Sequence, residues 1–491
     1  MLRKIFGDFV SFGSLRMIAR FFLGVRGILI ITTLTPLFLG HYAVLLLFVF
    51  YFSMLDFGAH YGLERDLPHF NQTGEEAIRI QTANEGWSAY YIMNVVAAFC
   101  LWGTLTFFKV GYGICSPFLV MFYFLFDKAF RGYLTEARIE LRYQQIGIAE
   151  VLYGSISCIS VFFLVRHLGI PGIFISFILG LAGAILFLQW RGPIRFQWIW
   201  EFKKLFRYLK SSVALSMITY EIRTFQYIPA TMLAILWDRE TLGYFVFSFR
   251  IFEILLSLFP LLIQEVFKTR LYQQLAVQQQ NHEQLRIIYP PMFFYGVLCA
   301  GVGLITYWLM SPIVTHTVPL YITSIPMLQV LVLALFPLGA AQMMSDFLLA
   351  RQIRKNISVI SAWGLGILFQ AVILIFIPRH SAMLGLQIVF TYLIAALLMY
   401  FILVFRLNRH WLKPFRFFCG MAFSLLAPLI WTVVSLVLAG LIGILPSSEW
   451  FVSLVGFVET FFTAVIGVGF YVLFLNRTDF QLIHKIQSIA P

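Results

Sequence analysis

The sequence predicts an all-α polytopic membrane protein of about 14 transmembrane helices, built as two pseudo-symmetric six-helix lobes plus two C-terminal helices. Three observations predict it. Of 491 residues, 60% are hydrophobic and 12% are charged, whereas soluble domains average roughly 45–50% and 25%. Apolar stretches of about 20 residues, the length that crosses a bilayer, recur along the whole chain. A turn motif at the end of the first stretch returns at the end of the seventh. Phe alone supplies 54 residues against 22 Asp and Glu, so a solvated shell cannot be assembled. A soluble enzyme, a disordered chain and a disulfide-stapled secreted domain are excluded.

Charged, polar or Gly/Pro clusters delimit the stretches. They lie near 14–36, 41–62, 87–108, 112–130, 145–166, 169–189 and 211–236. The series continues near 243–267, 288–309, 326–349, 356–377, 381–405, 417–445 and 450–475. The first follows a polar-basic lead and is too long for a signal-peptide core, so it is expected to remain as a span. The five cysteines are isolated and read as small buried hydrophobes.

Basic residues set the orientation. With both termini cytoplasmic, inner segments carry 26 Lys and Arg and outer ones carry Lys109, Arg166, Arg239 and Arg379. This places most of the +13 net charge at an anionic membrane surface. The stretch Arg191–Lys210 mixes basic and aromatic residues and reads as an amphipathic interfacial segment among anionic lipids. No nucleic-acid partner is implied.

The internal repeat joins Leu39-Gly40-His41-Tyr42 to Leu242-Gly243-Tyr244-Phe245, with the glycines 203 residues apart. Gly suits a tight hairpin between helices, and the aromatics suit the headgroup belt. Residues 1–205 form the first lobe, 206–410 the second, and 411–491 the appended pair. Parallel six-helix halves are a transporter plan with the path between them.

Pro36–Tyr42, Leu55-Asp56-Phe57-Gly58 and Gly62–Pro68 resemble the first hairpin of the Wzx-type polysaccharide flippases. That family belongs to the multidrug/oligosaccharidyl-lipid/polysaccharide exporter superfamily. Asp238–Tyr244 resembles its second-half hairpin, and Tyr321–Leu333 with Leu348–Arg351 resembles its spans nine to eleven. One departure stands out: Thr33-Leu34-Thr35-Pro36 replaces an Arg that many relatives carry before the Leu-Gly-Pro of span one. The resemblance implies a flippase of the bacterial inner membrane, not an enzyme. Its substrate would be an undecaprenyl-pyrophosphate-linked oligosaccharide, moved by alternating access for surface polysaccharide biosynthesis. Polysaccharide polymerase and assembly proteins are then candidate partners.

Five arginines fall inside predicted spans. An Arg at the bilayer centre costs at least about 2.5–3.5 kcal/mol, so each needs a partner or a watery cavity. Arg26 and Arg223 lie near mid-span, with Arg250 and Arg20 nearer the ends. Together they are candidates for a cationic cavity that holds pyrophosphate through bidentate guanidinium contacts. The competing reading is internal ion pairing, Arg223 with Glu221 and Arg250 with Glu253. For Arg16 and Arg20 it is snorkelling. Asp56, Glu64, Arg65, Glu221, Glu253 and Asp346 are candidates for a coupling site, taking a proton or a sodium ion, or for a cytoplasmic latch. Pro229, Pro260, Pro290, Pro291 and Pro337 predict bends.

No nucleotide-binding loop or metal-ligand spacing occurs, and no cofactor is expected. Two other readings stand beside the flippase. A cation-coupled drug exporter would favour an acidic cavity. A membrane glycan polymerase or ligase would carry a large outer loop, longer than any connection here.

Overall fold

A computed structural model describes residues 2–73, 75–110, 115–236, 238–258, 306, 309–351, 357–377 and 384–411. Most of the expected span 288–309, and both spans beyond residue 411, lie outside the described residues. Those residues are overwhelmingly helical, with no strand among them. In chain order the helices are α1 (Leu2–Thr33), α2 (Pro36–Ser53), α3 (Ala59–Thr73), α4 (Glu76–Phe107) and α5 (Cys115–Ile139). Then come α6 (Tyr143–Leu168), α7 (Ile170–Arg191), α8 (Phe202–Leu236) and α9 (Arg239–Leu258). After the 3-10 turn Pro319–Ser324 follow α10 (Ile325–Leu333), α11 (Leu335–Arg351), α12 (Ile357–Phe376) and α13 (Leu384–Trp411).

Among the described residues, five helices are long and apolar enough to cross a membrane, or six if α10 and α11 form one bent span. Three of the expected spans lie wholly or mostly outside the described residues, and charge accounts for others. Helices such as α1 and α8 carry Arg residues within their length, so they cross only if those charges are satisfied inside protein.

Local chemistry sets the helix ends. Pro36 opens α2 behind an extended Thr35, using a position whose N–H has no helical partner anyway. Asp238 precedes α9, where its carboxylate accepts the Thr241 N–H at 2.7 Å and the Thr241 hydroxyl at 2.8 Å. This is an N-cap. Burial raises the Asp238 carboxyl, but those Thr241 donors outweigh it and leave the group below its ordinary value. Pro337 lacks the N–H that would bond the carbonyl four residues back, and α10 and α11 meet there at 40°. Pro229 is accommodated within α8; Pro260, Pro290 and Pro291 lie outside the described residues.

Three expectations need correction. The stretch 41–62 is not one helix. α2 ends at Ser53, a 3-10 turn covers Met54–Asp56, and Phe57 and Gly58 turn left-handed at φ 49° and 72°. A side chain at Gly58 would also lie 2.3 Å from Ser216 Cβ. Residues 63–86 are not a loop, because α3 and the start of α4 fill them. Nor does the helix near 112–130 stop there: α5 runs unbroken to Ile139 and carries Lys128 and Arg131 within it. The glycines of α7 pack closely, a Cβ on Gly180 lying 2.8 Å from the Tyr153 carbonyl oxygen, whereas Gly364 faces open space.

Packing divides the chain into two units: Met1–Arg250 with Ile357–Thr391, and Ile251–Asn356 with Tyr392–Pro491. In the first, α1 packs on α6, α6 on α7, and α8 on α12, where Phe225 meets Trp363 edge-on at 5.4 Å. One core joins Leu63, Trp87, Tyr90, Leu205 and Tyr208. Another joins Phe130, Leu134, Ile146, Leu181 and Leu188. In the second unit Phe252 meets Tyr392, and Phe336 meets Tyr400.

Candidate functional site

The repeat read from the sequence reappears as a contact. A Cβ on Gly40 would lie 1.8 Å from the Arg239 carbonyl oxygen, and one on Gly243 would lie 1.8 Å from that of Pro36. Only hydrogen fits at either place, so the first turns of α2 and α9 cross backbone to backbone. Arg239 and Pro36 are themselves 203 residues apart, as are the C-termini of α1 and α8 at Thr33 and Leu236. The contact, the helix starts and the helix ends share one register.

That register re-sorts the buried arginines. It matches Arg223 with Arg20 and sets Pro229 opposite Arg26, whereas depth alone had paired Arg26 with Arg223. Arg26 is held inside its own lobe. It donates to the Ser157 hydroxyl at 2.9 Å, and its guanidinium carbon lies 4.2 Å from the Phe177 ring centroid and 5.0 Å from that of Tyr153. An aromatic face is a favourable seat for a partly desolvated cation. Arg223 is half-buried on α8 and makes no hydrogen bond or ion pair among the described residues. Its expected competitor contact is absent: Glu221 does not pair with it, and one Glu221 carboxylate oxygen is buried without a hydrogen-bond partner. Arg20 is half-buried on α1 and engaged with neighbours, while Arg16 pairs with Glu150 of α6 at 3.5 Å. Arg250 and Glu253 sit three residues apart on α9, both half-buried and both engaged. Asp346 lies on α11, with its side chain outside the described ones.

The acids near residue 56 form a second centre. Asp56 is fully buried. Its carboxylate accepts Lys128 Nζ at 2.9 Å, the Gly58 N–H at 2.9 Å and the Tyr220 hydroxyl, and His60 Nδ1 lies 3.2 Å away. Lys128 also donates to the Ser53 carbonyl at 2.8 Å. Four segments therefore converge on one carboxylate: the α2 end, α3, α5 and α8. Glu64 accepts Arg138 at 2.8 Å and Thr135 at 3.2 Å, which ties α3 to α5. Arg65 instead pairs with its neighbour Asp66.

Lys128, Tyr220 and His60 were not legible as partners of Asp56. Lys128 falls at the end of the apolar stretch near 112–130 and counts among the cytoplasmic basic residues, with no partner implied. A signal existed, since no Pro lies between Asp127 and Ile139 and Gly132 is the one weak helix former there. Between the two centres, α2 and α8 touch through the Tyr51 and Thr231 hydroxyls at 2.7 Å and through Phe50 and Tyr227 at 4.5 Å. Among the described residues no group of three or more His, Cys, Asp or Glu side chains is placed to hold a metal ion.

No protein-family model matches the chain, and no curated protein sequence does. Solved structures do match. The fold resembles that of a lipid flippase and that of transporters of the MOP superfamily. Lipid II flippase MurJ in its inward closed conformation superposes with a TM-score of 0.73 at 13% identity, over 95% of this chain and 99% of that one. An inward-facing multidrug resistance MATE family transporter of the same superfamily gives 0.60 at 14% identity, over 82% and 98%. A eukaryotic MATE transporter gives 0.57 at 16% identity, over 83% and 96%. At these identities the likeness is one of fold.

Proposed function

We propose that this protein is a flippase carrying an undecaprenyl-pyrophosphate-linked oligosaccharide across the bacterial cytoplasmic membrane by alternating access, for surface polysaccharide biosynthesis. The observation that carries the reading is Arg223: half-buried at mid-helix, without a carboxylate partner among the described residues, and matched by Arg20 in the repeat. A guanidinium placed so costs insertion energy, and a diphosphate of compact negative charge offsets that cost through bidentate contacts. The likeness to a lipid flippase along 95% of the chain supports the same reading. Arg26, caged by Ser157, Tyr153 and Phe177, serves the first lobe's packing and lends its positive charge from behind. Arg250 is assigned to the same cationic surface. Coupling to a proton or a sodium ion is assigned to the acids around Asp56 and Glu221, with Glu253 and Asp346 as further candidates. Both termini are placed in the cytoplasm by the distribution of basic residues.

The MATE likeness favours one second reading, a cation-coupled exporter of small drugs; it covers 82% of this chain. A polymerase or ligase finds no support, because the solved neighbours are transporters and flippases. Analysis of lipid extracts after gene deletion separates the readings. Lipid-linked oligosaccharide should build up on the cytoplasmic leaflet. Unchanged lipid-linked sugars together with altered drug tolerance would give the second reading the field. Arg223→Ala and Arg20→Ala should each abolish export while leaving insertion intact, and normal export by both would overturn the cationic site.

A further inference from the structure

The connection between α7 and α8 opens the stretch read from the sequence as an amphipathic interfacial segment. Residues 192–201 are not helical. They form an extended strap fixed to α4 at two backbone points: the Gln197 N–H donates to Asn84 Oδ1 at 2.7 Å, and the Ile199 N–H donates to Ser88 Oγ at 2.9 Å. From Ile194 to Gln197 side chains alternate as on a strand. Ile194 and Phe196 turn inward against the core of α3, α4 and α8, and Phe196 stacks on Tyr91 at 5.8 Å. Arg195 and Gln197 turn outward, and the α8 start continues this face.

Two properties coincide there. Trp190, Trp198, Trp200, Phe202 and Phe206 are each between 52% and 79% exposed, and Trp198 stacks on Trp200 at 5.9 Å. Among them stand Arg195, Lys203, Arg207 and Lys210, none of which has an ion pair or hydrogen bond among the described residues. Glu201, the one acid of this stretch, is already taken by Lys204 at 2.7 Å. Exposed aromatic rings are out of place in water, and unpaired cations are out of place among acyl chains. Both fit the headgroup layer of an anionic leaflet, where rings sit at the glycerol level and cations meet lipid phosphate.

We propose that the strap and the first turns of α8 form a preformed docking surface for anionic lipid headgroups, phosphatidylglycerol being the simplest. The strap joins the end of α7 to the start of α8, so bound headgroups anchor the link between the two repeats. The inference concerns the membrane around the protein and holds whatever cargo crosses, so it can fail without touching the flippase reading.

The test uses the full chain in nanodiscs of phosphatidylcholine and phosphatidylglycerol, with bromine carried on the acyl chains of one lipid at a time. Quenching of strap fluorescence is the difference between the native protein and a Trp198→Phe/Trp200→Phe variant. At equal bromine content, brominated phosphatidylglycerol should quench that signal about twice as strongly as brominated phosphatidylcholine, and 0.5 M salt should narrow the gap. In Arg195→Gln/Lys203→Gln/Arg207→Gln/Lys210→Gln the two lipids should quench alike. Should that variant not fold, the salt series on native protein decides alone. Equal quenching of native protein by both lipids overturns the anionic preference. Quenching by neither places the strap in water, overturns the proposal, and points to an acidic protein partner instead.

Discussion

The contact between α2 and the α8–α9 region is closed in opposite ways at its two ends. At Gly40 and Gly243 no side chain takes part, and two backbones touch because hydrogen replaces Cβ on both sides. At Asp56 the closure turns on a side-chain carboxylate, satisfied by Lys128 Nζ, the Tyr220 hydroxyl and the Gly58 N–H. The first end depends on shape and tolerates no added atom. The second depends on charge balance and tolerates neither partner alone. Alternating access needs ends that open separately, and two closures of different chemistry can be weakened independently.

The largest effect is expected from breaking the charge balance. Asp56→Ala strands the Lys128 ammonium in a dry site and should cost about 3–5 kcal/mol, read as a large drop in melting temperature in detergent. An Asp56→Leu/Lys128→Met double variant should recover much of that loss. If Asp56→Ala melts like the native protein, the Asp56 end is not held by charge. Next come Gly40→Ala and Gly243→Ala, each costing about 1–3 kcal/mol because the crossing must part. Their double variant should cost less than the sum, since one separation relieves both clashes. Full additivity would mean that the two glycines do not share a contact.

Tyr220→Phe removes the one hydroxyl that α8 gives to Asp56 while the other donors remain. A loss of about 1 kcal/mol is expected, and a larger one would move the weight of that end from α5 to α8. The smallest effect concerns Glu136, at the far end of α5 beyond the expected span. Burial and the neighbouring Glu140 raise its carboxyl to about 7, against the pull of Arg142 and Arg79. The sign follows from linkage: a raised folded value favours the protonated form, so stability falls as pH climbs from the ordinary 4.5 to about 7. Glu136→Gln should flatten that part of the melting-temperature profile. An unchanged slope would leave Glu136 out of the pH response.

What the sequence made legible follows from what is local. The helical class and the repeat motif rest on neighbouring residues, and the glycine register holds to the residue, although α2 and α9 start at Pro36 and Arg239 rather than near 41 and 243. The partners of buried charges did not follow, because they are non-local. Lys128 and Asp56 are 72 positions apart, and Arg26 and Ser157 are 131 apart. The apolar stretch near 112–130 also stops where polar residues become frequent, whereas α5 continues to Ile139. The strap escaped for another reason. Its basic-aromatic composition fits an interfacial helix as well as a strand, and only the hydrogen bonds that the Gln197 and Ile199 N–H groups donate to Asn84 and Ser88 select the extended form.

The glycine crossing carries a meaning beyond tightness. Position 40 meets position 239, and position 243 meets position 36, so each repeat offers the other the same notch and the same ridge. That is the geometry of an isologous interface, in which a patch is its own complement about a two-fold axis. A half-length chain bearing one copy would need no second kind of surface to pair with itself. Joined in one polypeptide, the halves keep that self-complementarity at the crossing while their arginines have diverged, Arg26 into the packing of one lobe and Pro229 into its counterpart.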